Sequence, residues 1–338
     1  MSAEPTSLPQ LREWLDDPAA ASRFSPFGAE PFLLFDTASG GFPSSDAVRI
    51  ARWLLELPCP SIGIASTGID NATVKACDVL VERAADAAGM IERIRRHPMA
   101  AAVFVQVLRA TEGMPVPQAL VAESLAYATL QGGPEFRRWL EERPLPRPPP
   151  RVGEGEGGGP AVIVDRNSDV LTIELNRPSN RNAISIEMRD ALNEALQLAL
   201  VDASVSKIAV SGRGKCFSVG GDLAEFGTLP DPVSAHVIRR LTMPGRFVAA
   251  CAERAEFRVH GACVGSGVEL PAFAKRVIAA PDSYFHLPEL EFGLLPGGGG
   301  CVSIPRRIGR QRTAWMVLSG KRINARTALD WSLVDEIA

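Results

Sequence analysis

Along the second half of the chain, short apolar runs and helically spaced apolar positions take turns. Ala161 to Asp165 and Val170 to Leu175 are strand-like, and Asn167, Ser168 and Asp169 between them read as the turn of a hairpin. From Ser185, an N-cap residue type, Met188, Leu192, Ala195, Leu196 and Ala199 recur at the spacing of one helix face. Lys207 to Ser211 predicts a strand, Val233 to Glu253 a helix, Glu256 to Val259 a strand, Val268 to Ala274 an apolar helical stretch, and Arg276 to Ala280 a strand. Pro296, the four glycines Gly297 to Gly300 and a helix over Gln311 to Leu318 follow. Strand and helix alternating in this way favour an α/β fold.

The first half is patterned differently. Strands are expected at Phe32 to Phe35, Ser61 to Ala65 and Ala76 to Val81, with a helix over Asp46 to Leu57. Four helical segments then fill residues 84–142, among them Met99 to Arg109, Pro117 to Thr129 and Pro134 to Glu142, with no strand between them. Residues 143–160 join a proline-rich piece to a glycine-rich one, a composition that cannot bury a core. They divide the chain into residues 1–142, a linker over 143–160, and residues 161–338.

Composition narrows the class. The 338 residues are 46% hydrophobic and 22% charged, with a formal net charge of -3, which suits a globular protein and offers no global positive field for nucleic acid. Arg306, Arg307, Arg310 and Arg312 form a local basic cluster, expected to be a solvated helical face. The six cysteines contain no C-x-x-C pair and sit mostly in apolar runs, so they read as buried thiols of a reducing compartment. The first residues, with Glu4, Glu13, Asp16 and Asp17, lack the pattern of a signal peptide, and no apolar run is long enough to cross a bilayer. A cytoplasmic protein without a membrane partner is therefore expected.

Chemistry enters with the glycine-punctuated segments. Cys216-Phe217-Ser218-Val219-Gly220-Gly221-Asp222-Leu223 resembles the first signature of the crotonase, or enoyl-CoA hydratase/isomerase, superfamily. Val259 to Leu270, with Gly265, Ser266, Gly267 and Glu269, is similar to the second, and Phe285-His286-Leu287-Pro288-Glu289, followed by Gly293 and Pro296, to the third. Asn176-Arg177-Pro178 and Asn182-Ala183-Ile184 complete the set, which covers roughly residues 161–338 in order and spacing.

The resemblance implies a ββα superhelical spiral core with an additional helical region, and an acyl-CoA thioester as substrate. The coenzyme A is part of that substrate, and no other cofactor and no metal is implied. The backbone N–H groups of Gly221 and Ser266 stand where the family forms its oxyanion hole. Physical chemistry agrees, since a thioester oxygen gains negative charge as its α-carbon becomes enolate-like, and preorganised donors stabilise it. A helix opening at Ser266 would add a partial positive charge. Glu269 and Glu289 match the two glutamates of family hydratases, Glu289 for proton exchange at the α-carbon and Glu269 for activating water. Arg181, Ala183, Asp222, Leu223 and Ala224 stand at positions implied to contact coenzyme A. Isomerisation, ring-opening hydrolysis, C–C cleavage and a noncatalytic acyl-CoA-binding or assembly role stay open beside hydration of a 2-enoyl-CoA.

The core matched by this resemblance stops short of the family's usual C-terminal helices. Residues 97–142, which include Glu123-Ser124 and Glu135-Phe136, resemble those helices, while Leu57 to Val81 looks like a shortened core without counterparts of Glu269 or Glu289. The first half is thus expected to be degenerate and to donate its helices to the active half, within one chain or between subunits of a homo-oligomer, trimer-based or altered by this rearrangement. His260 and His286 lack the partners of a triad or zinc site and are expected to pack.

Overall fold

The computed structural model describes residues 4–17, 19–28, 30–37, 44–65, 72–143, 159–229 and 231–338. Most of the expected linker falls outside them. Three short strands open the fold: β1 (Leu33–Asp36), β2 (Ser61–Ile64) and β3 (Val79–Val81), parallel in the order β1-β2-β3. The third begins later than the sequence suggests because Ala72–Ala76 forms a helical turn first. After the helix Ala88–Arg96 come α1 (Pro98–Thr111), α2 (Val116–Gln131) and α3 (Pro134–Glu142), each with proline in its first turn, where the missing N–H costs nothing.

The second half is built on β4 (Val162–Asn167), β5 (Val170–Leu175), β6 (Lys207–Gly212), β7 (Ala255–Val259), β8 (Ala262–Val264), β9 (Arg276–Ala279), β10 (Tyr284–His286), β11 (Ile323–Asn324) and β12 (Glu336–Ile337). Six of these form one sheet in the order β12-β9-β7-β6-β5-β4, in which only the β4–β5 hairpin is antiparallel. The remaining three form a small sheet, β11-β10-β8. The principal helices are α4 (Ile186–Val201), α5 (Pro232–Thr242), α6 (Ser266–Glu269), α7 (Gly300–Ile308) and α8 (Arg310–Ser319). Ser185 caps α4 as its type predicts, its hydroxyl accepting from the N–H of Met188 at 3.2 Å.

Two expected helices are interrupted, each by a proline. Residues 233–253 contain Pro244, whose ring disfavours helical geometry at Met243, so α5 ends at Thr242 and a second helix, Pro244–Ala250, begins. The stretch from Val268 to Ala274 contains Pro271, which leaves one α-turn, α6, and a 3₁₀ turn over Pro271–Phe273.

The main core runs through both halves of the sequence. Phe104, Leu108, Tyr127 and Phe136 from α1 to α3 belong to the same buried cluster as Phe257, Leu295, Ile304 and Met316. Burying one such side chain contributes about 1.5–3 kcal/mol. A second cluster, including Leu11, Phe24, Phe35, Ile50 and Leu54, lies within the first part of the chain.

Charge crosses the same boundary. Buried Asp78 accepts hydrogen bonds from Arg109 Nε at 2.9 Å, Arg310 Nη1 at 2.9 Å and the N–H of Ser61 at 2.8 Å. The expectation of a solvated arginine face therefore fails. Arg310 is buried against Asp78, Arg306 bonds the Met114 carbonyl, and Arg307 pairs with Asp335. These arginines meet groups brought in by distant segments, a nonlocal arrangement that spacing along one helix does not reveal.

Candidate active site

Two loops and a turn converge because the small sheet aligns them. Pairing of β8 with β10 sets Val264 opposite His286, so the loop leaving β8 and the Leu287-Pro288-Glu289 turn leaving β10 run out on the same side. The 216–222 segment is tied in beside them. Val264 N–H donates to Ser218 O at 3.0 Å, and Ile184 N–H donates to Gly220 O at 2.8 Å. Asn182, fully buried, fastens the base of this segment through its Nδ2, which donates to Arg213 O at 2.8 Å and Phe217 O at 3.0 Å.

The result is a pocket of about 300 Å³ whose wall includes Gly220, Gly221, Ser266, Glu269 and Glu289. The N–H groups of Gly221 and Ser266 donate to no group among the described residues. Such N–H groups on a pocket wall are available to a ligand oxygen. The helix they were expected to draw on is a single turn, so its aligned dipole adds little and the N–H groups themselves carry the effect.

Glu269 and Glu289 meet over the backbone of Gly265. That residue has φ of +50°, and a Cβ there would lie 2.8 Å from Glu289 Oε1 and 3.9 Å from Glu269 Oε1, so the glycine both permits the turn and leaves room for the carboxyl groups. Their environments differ. Glu269, 2% exposed, accepts from the N–H groups of Gly298 at 2.6 Å and Gly300 at 2.8 Å. Burial pushes its pKa up to about 7, while those N–H groups, Arg239 and the Ser266 hydroxyl hold it from rising further. Glu289 Oε2 is buried with no hydrogen-bond partner among the described residues. Burial raises the Glu289 pKa well above the ordinary carboxyl range, and the charges of Glu269 and Glu123 add to the rise. One carboxyl group suited to ionisation near neutral pH thus lies beside one that holds its proton.

The N-terminal half supplies part of this site. Glu123 on α2, 1% exposed, accepts from the N–H groups of Gly299 at 2.8 Å and Cys301 at 2.9 Å. Tyr127, one turn further along, lies so close to Gly297 that a Cβ there would fall 2.1 Å from its ring. Arg239 on α5 stacks over the Tyr127 ring with its Cζ 3.8 Å from the centroid. These three residues were not singled out for the site from the sequence. Only Glu123 left a signal, a carboxylate sharing a helix face with Ala119, Leu120, Tyr127 and Leu130, all buried.

Of the positions implied to contact coenzyme A, Leu223 lies in the pocket wall, whereas Arg181, Ala183, Asp222 and Ala224 do not. Arg181 is exposed, Ala183 is buried, and Asp222 accepts from the N–H of Ala224 at 3.0 Å. His260 and His286 pack as expected, their Nε2 atoms bonded to the carbonyls of Gly214 at 2.9 Å and Gly320 at 3.1 Å. Among the described residues, no group of three or more His, Cys, Asp or Glu side chains is arranged to hold a metal ion, and no helix is long and apolar enough to cross a membrane.

Comparison with known proteins gives one answer for this half. The family model described as enoyl-CoA hydratase/isomerase matches residues 165–338. The 2,3-dehydroadipyl-CoA hydratase of Escherichia coli is 32% identical over 182 residues, which span 52% of this chain and 68% of that protein. The mitochondrial enoyl-CoA hydratase of Pongo abelii is 33% identical over 177 residues, 51% of this chain and 59% of its own length. A solved structure of a candidate enoyl-CoA hydratase/isomerase from Mycobacterium abscessus superimposes with a TM-score of 0.50 at 33% identity, over 53% of this chain and 70% of that one.

Proposed function

The chain belongs to the enoyl-CoA hydratase/isomerase family and carries its α/β crotonase-type fold, and from that premise we propose that it adds water to a 2-enoyl-CoA to give a 3-hydroxyacyl-CoA. The observation that supports this reaction best is the meeting of two buried carboxyl groups with unlike proton affinity beside two unengaged backbone N–H groups.

In the proposed mechanism the thioester oxygen accepts hydrogen bonds from Gly221 and Ser266. Glu269, ionised, takes a proton from a water molecule as the water oxygen bonds to the β-carbon. The electron pair of the double bond moves toward the thioester oxygen, where the two N–H groups stabilise the enolate. Glu289, protonated, then delivers its proton to the α-carbon. The elements of water have been added, with no electrons gained or lost, and both carboxyl groups on one side of the double bond would make the addition syn. Proton exchange with solvent returns Glu269 and Glu289 to their starting states. Arg181, exposed outside the pocket wall, would face the coenzyme A phosphates, and a homo-oligomer would rest on the exposed stripe Val233, Val237 and Leu241 of α5; light scattering of the purified protein checks the latter, a monomer counting against it.

The reaction is tested by turnover of crotonyl-CoA in water labelled with heavy oxygen. The proposal predicts a 3-hydroxyacyl-CoA carrying the label at the β-carbon. An isomerised or cleaved product, or label appearing only in a carboxylic acid released by thioester hydrolysis, would contradict it.

A further inference from the structure

The pocket has an arginine where a hydrocarbon chain would want none. Arg239 lines it together with apolar neighbours that include Leu223, Phe226, Ile238 and Phe292. Its guanidinium is only partly used. Nη2 donates to Gln131 Oε1 at 3.0 Å, the plane stacks on Tyr127, and Nε is shut off from solvent with no hydrogen-bond partner among the described residues. No carboxylate of the described residues forms an ion pair with it. Its attraction to Glu269 and Glu123 acts at longer range.

A guanidinium in this setting disfavours a plain hydrocarbon tail. Filling the pocket with one removes water from a cation and returns no hydrogen bond, a cost that apolar contact with Phe226 and Phe292 must first offset. A carboxylate reverses that balance. The end of the guanidinium formed by Nη1 and Nη2 offers two parallel donors, the arrangement that matches the two oxygens of a carboxylate: Nη1 makes no hydrogen bond among the described residues, and Nη2 has a second hydrogen beyond the one given to Gln131.

We propose that Arg239 is a specificity-determining residue that binds a carboxylate at the far end of the acyl chain, so that the substrate class is the coenzyme A monothioester of an unsaturated dicarboxylic acid. This rests on the hydratase function proposed above. Tyr127 and Gln131, which hold the guanidinium in place, both come from α2, so the N-terminal half would help set acyl specificity as well as support the catalytic loop.

The test is a series of ω-carboxy 2-enoyl-CoAs of increasing length, each compared with its methyl-ended counterpart by kcat/KM, on the wild-type protein and on Arg239→Met and Arg239→Lys. Equilibrium binding of the corresponding saturated thioesters is measured in parallel. At the best chain length the wild type should favour the carboxylate by about 10- to 100-fold, the scale of a charge-assisted hydrogen-bonded pair. Arg239→Met should bring the ratio near one, and Arg239→Lys should restore part of it. The ratio is the readout because a general effect on Glu269 would change both rates together. A wild type that prefers the methyl-ended thioester at every length, or a preference unchanged in Arg239→Met, overturns the role of Arg239 and leaves hydration standing. Turnover of neither series contradicts hydration, and the binding ratio then decides the role of Arg239 independently.

Discussion

Glu123 and Glu269 hold alternate amides of one loop. Glu269 accepts from Gly298 and Gly300, Glu123 from Gly299 and Cys301, so two carboxyl groups from opposite halves of the sequence fix four successive N–H groups. That loop is what positions Glu269 against the pocket, and half of its support arrives with α2.

A variant that removes the Glu123 contribution should therefore act on turnover. Glu123→Gln keeps one acceptor but turns an amide NH₂ toward a backbone donor, leaving buried donors unpaired. The expected cost is roughly 2–4 kcal/mol of stability and about a tenfold or larger fall in kcat, with KM little changed because Glu123 is not in the pocket wall. Steady-state kinetics with a urea melt measures both. A variant with wild-type kcat would show that the loop needs only Glu269.

The Asp78 network should join the halves energetically as well as geometrically. Asp78→Ala leaves Arg109 and Arg310, both nearly buried, without their carboxylate, and breaking a buried pair in this way costs about 3–5 kcal/mol. A urea unfolding curve checks it, and a change below about 1 kcal/mol would contradict the assignment.

Much of this was written in local chemistry. The cap at Ser185, the β4–β5 hairpin and the glycine segments all depend on residue types close in sequence, and the structure has them where the pattern predicts. The helix breaks at Pro244 and Pro271 are equally local, but the apolar spacing that continues across each proline predicts one unbroken helix. Other features were not local at all. Nothing around Arg310 announces Asp78, and nothing around Gly299 announces Glu123, since those contacts depend on how the two halves fold together. Glu269 and Glu289 could be picked from the motifs, but the free Oε2 of one and the two amide donors of the other appear only in three dimensions.

Glu289 should trade stability for activity. In the folded protein its pKa lies above the ordinary value of 4.5, so the native state keeps a proton that the unfolded chain sheds. Its contribution to stability is fully present below about pH 4.5 and is lost as pH rises through the folded pKa. Glu289→Gln removes that loss and replaces an unpartnered buried acid with a neutral amide. The expected result is a melting temperature higher by a few degrees, on the scale of about 1 kcal/mol, with a flatter dependence on pH above neutrality. Calorimetry across pH 5 to about 9 tests it, and a lower melting temperature at alkaline pH would contradict it.

The pH profile of turnover should be bell-shaped. Glu269 must be ionised to take a proton from water, so the rate rises with pH through its value of about 7. Glu289 must be protonated to donate, so the rate falls once pH passes its raised pKa. Glu269→Gln should abolish the rising limb along with most of the activity, and a profile flat from about pH 5 to 9 would refute this division of roles.

The most direct measurement is the loss of enoyl-thioester absorbance when the purified protein meets crotonyl-CoA and a panel of longer enoyl-CoAs, with Glu289→Gln alongside. The account predicts loss of absorbance with the wild type and a rate about 100- to 10,000-fold lower with the variant, the range a positioned proton donor supplies. Steady absorbance with the wild type despite measurable binding of the thioester, or equal rates in the two proteins, would contradict it.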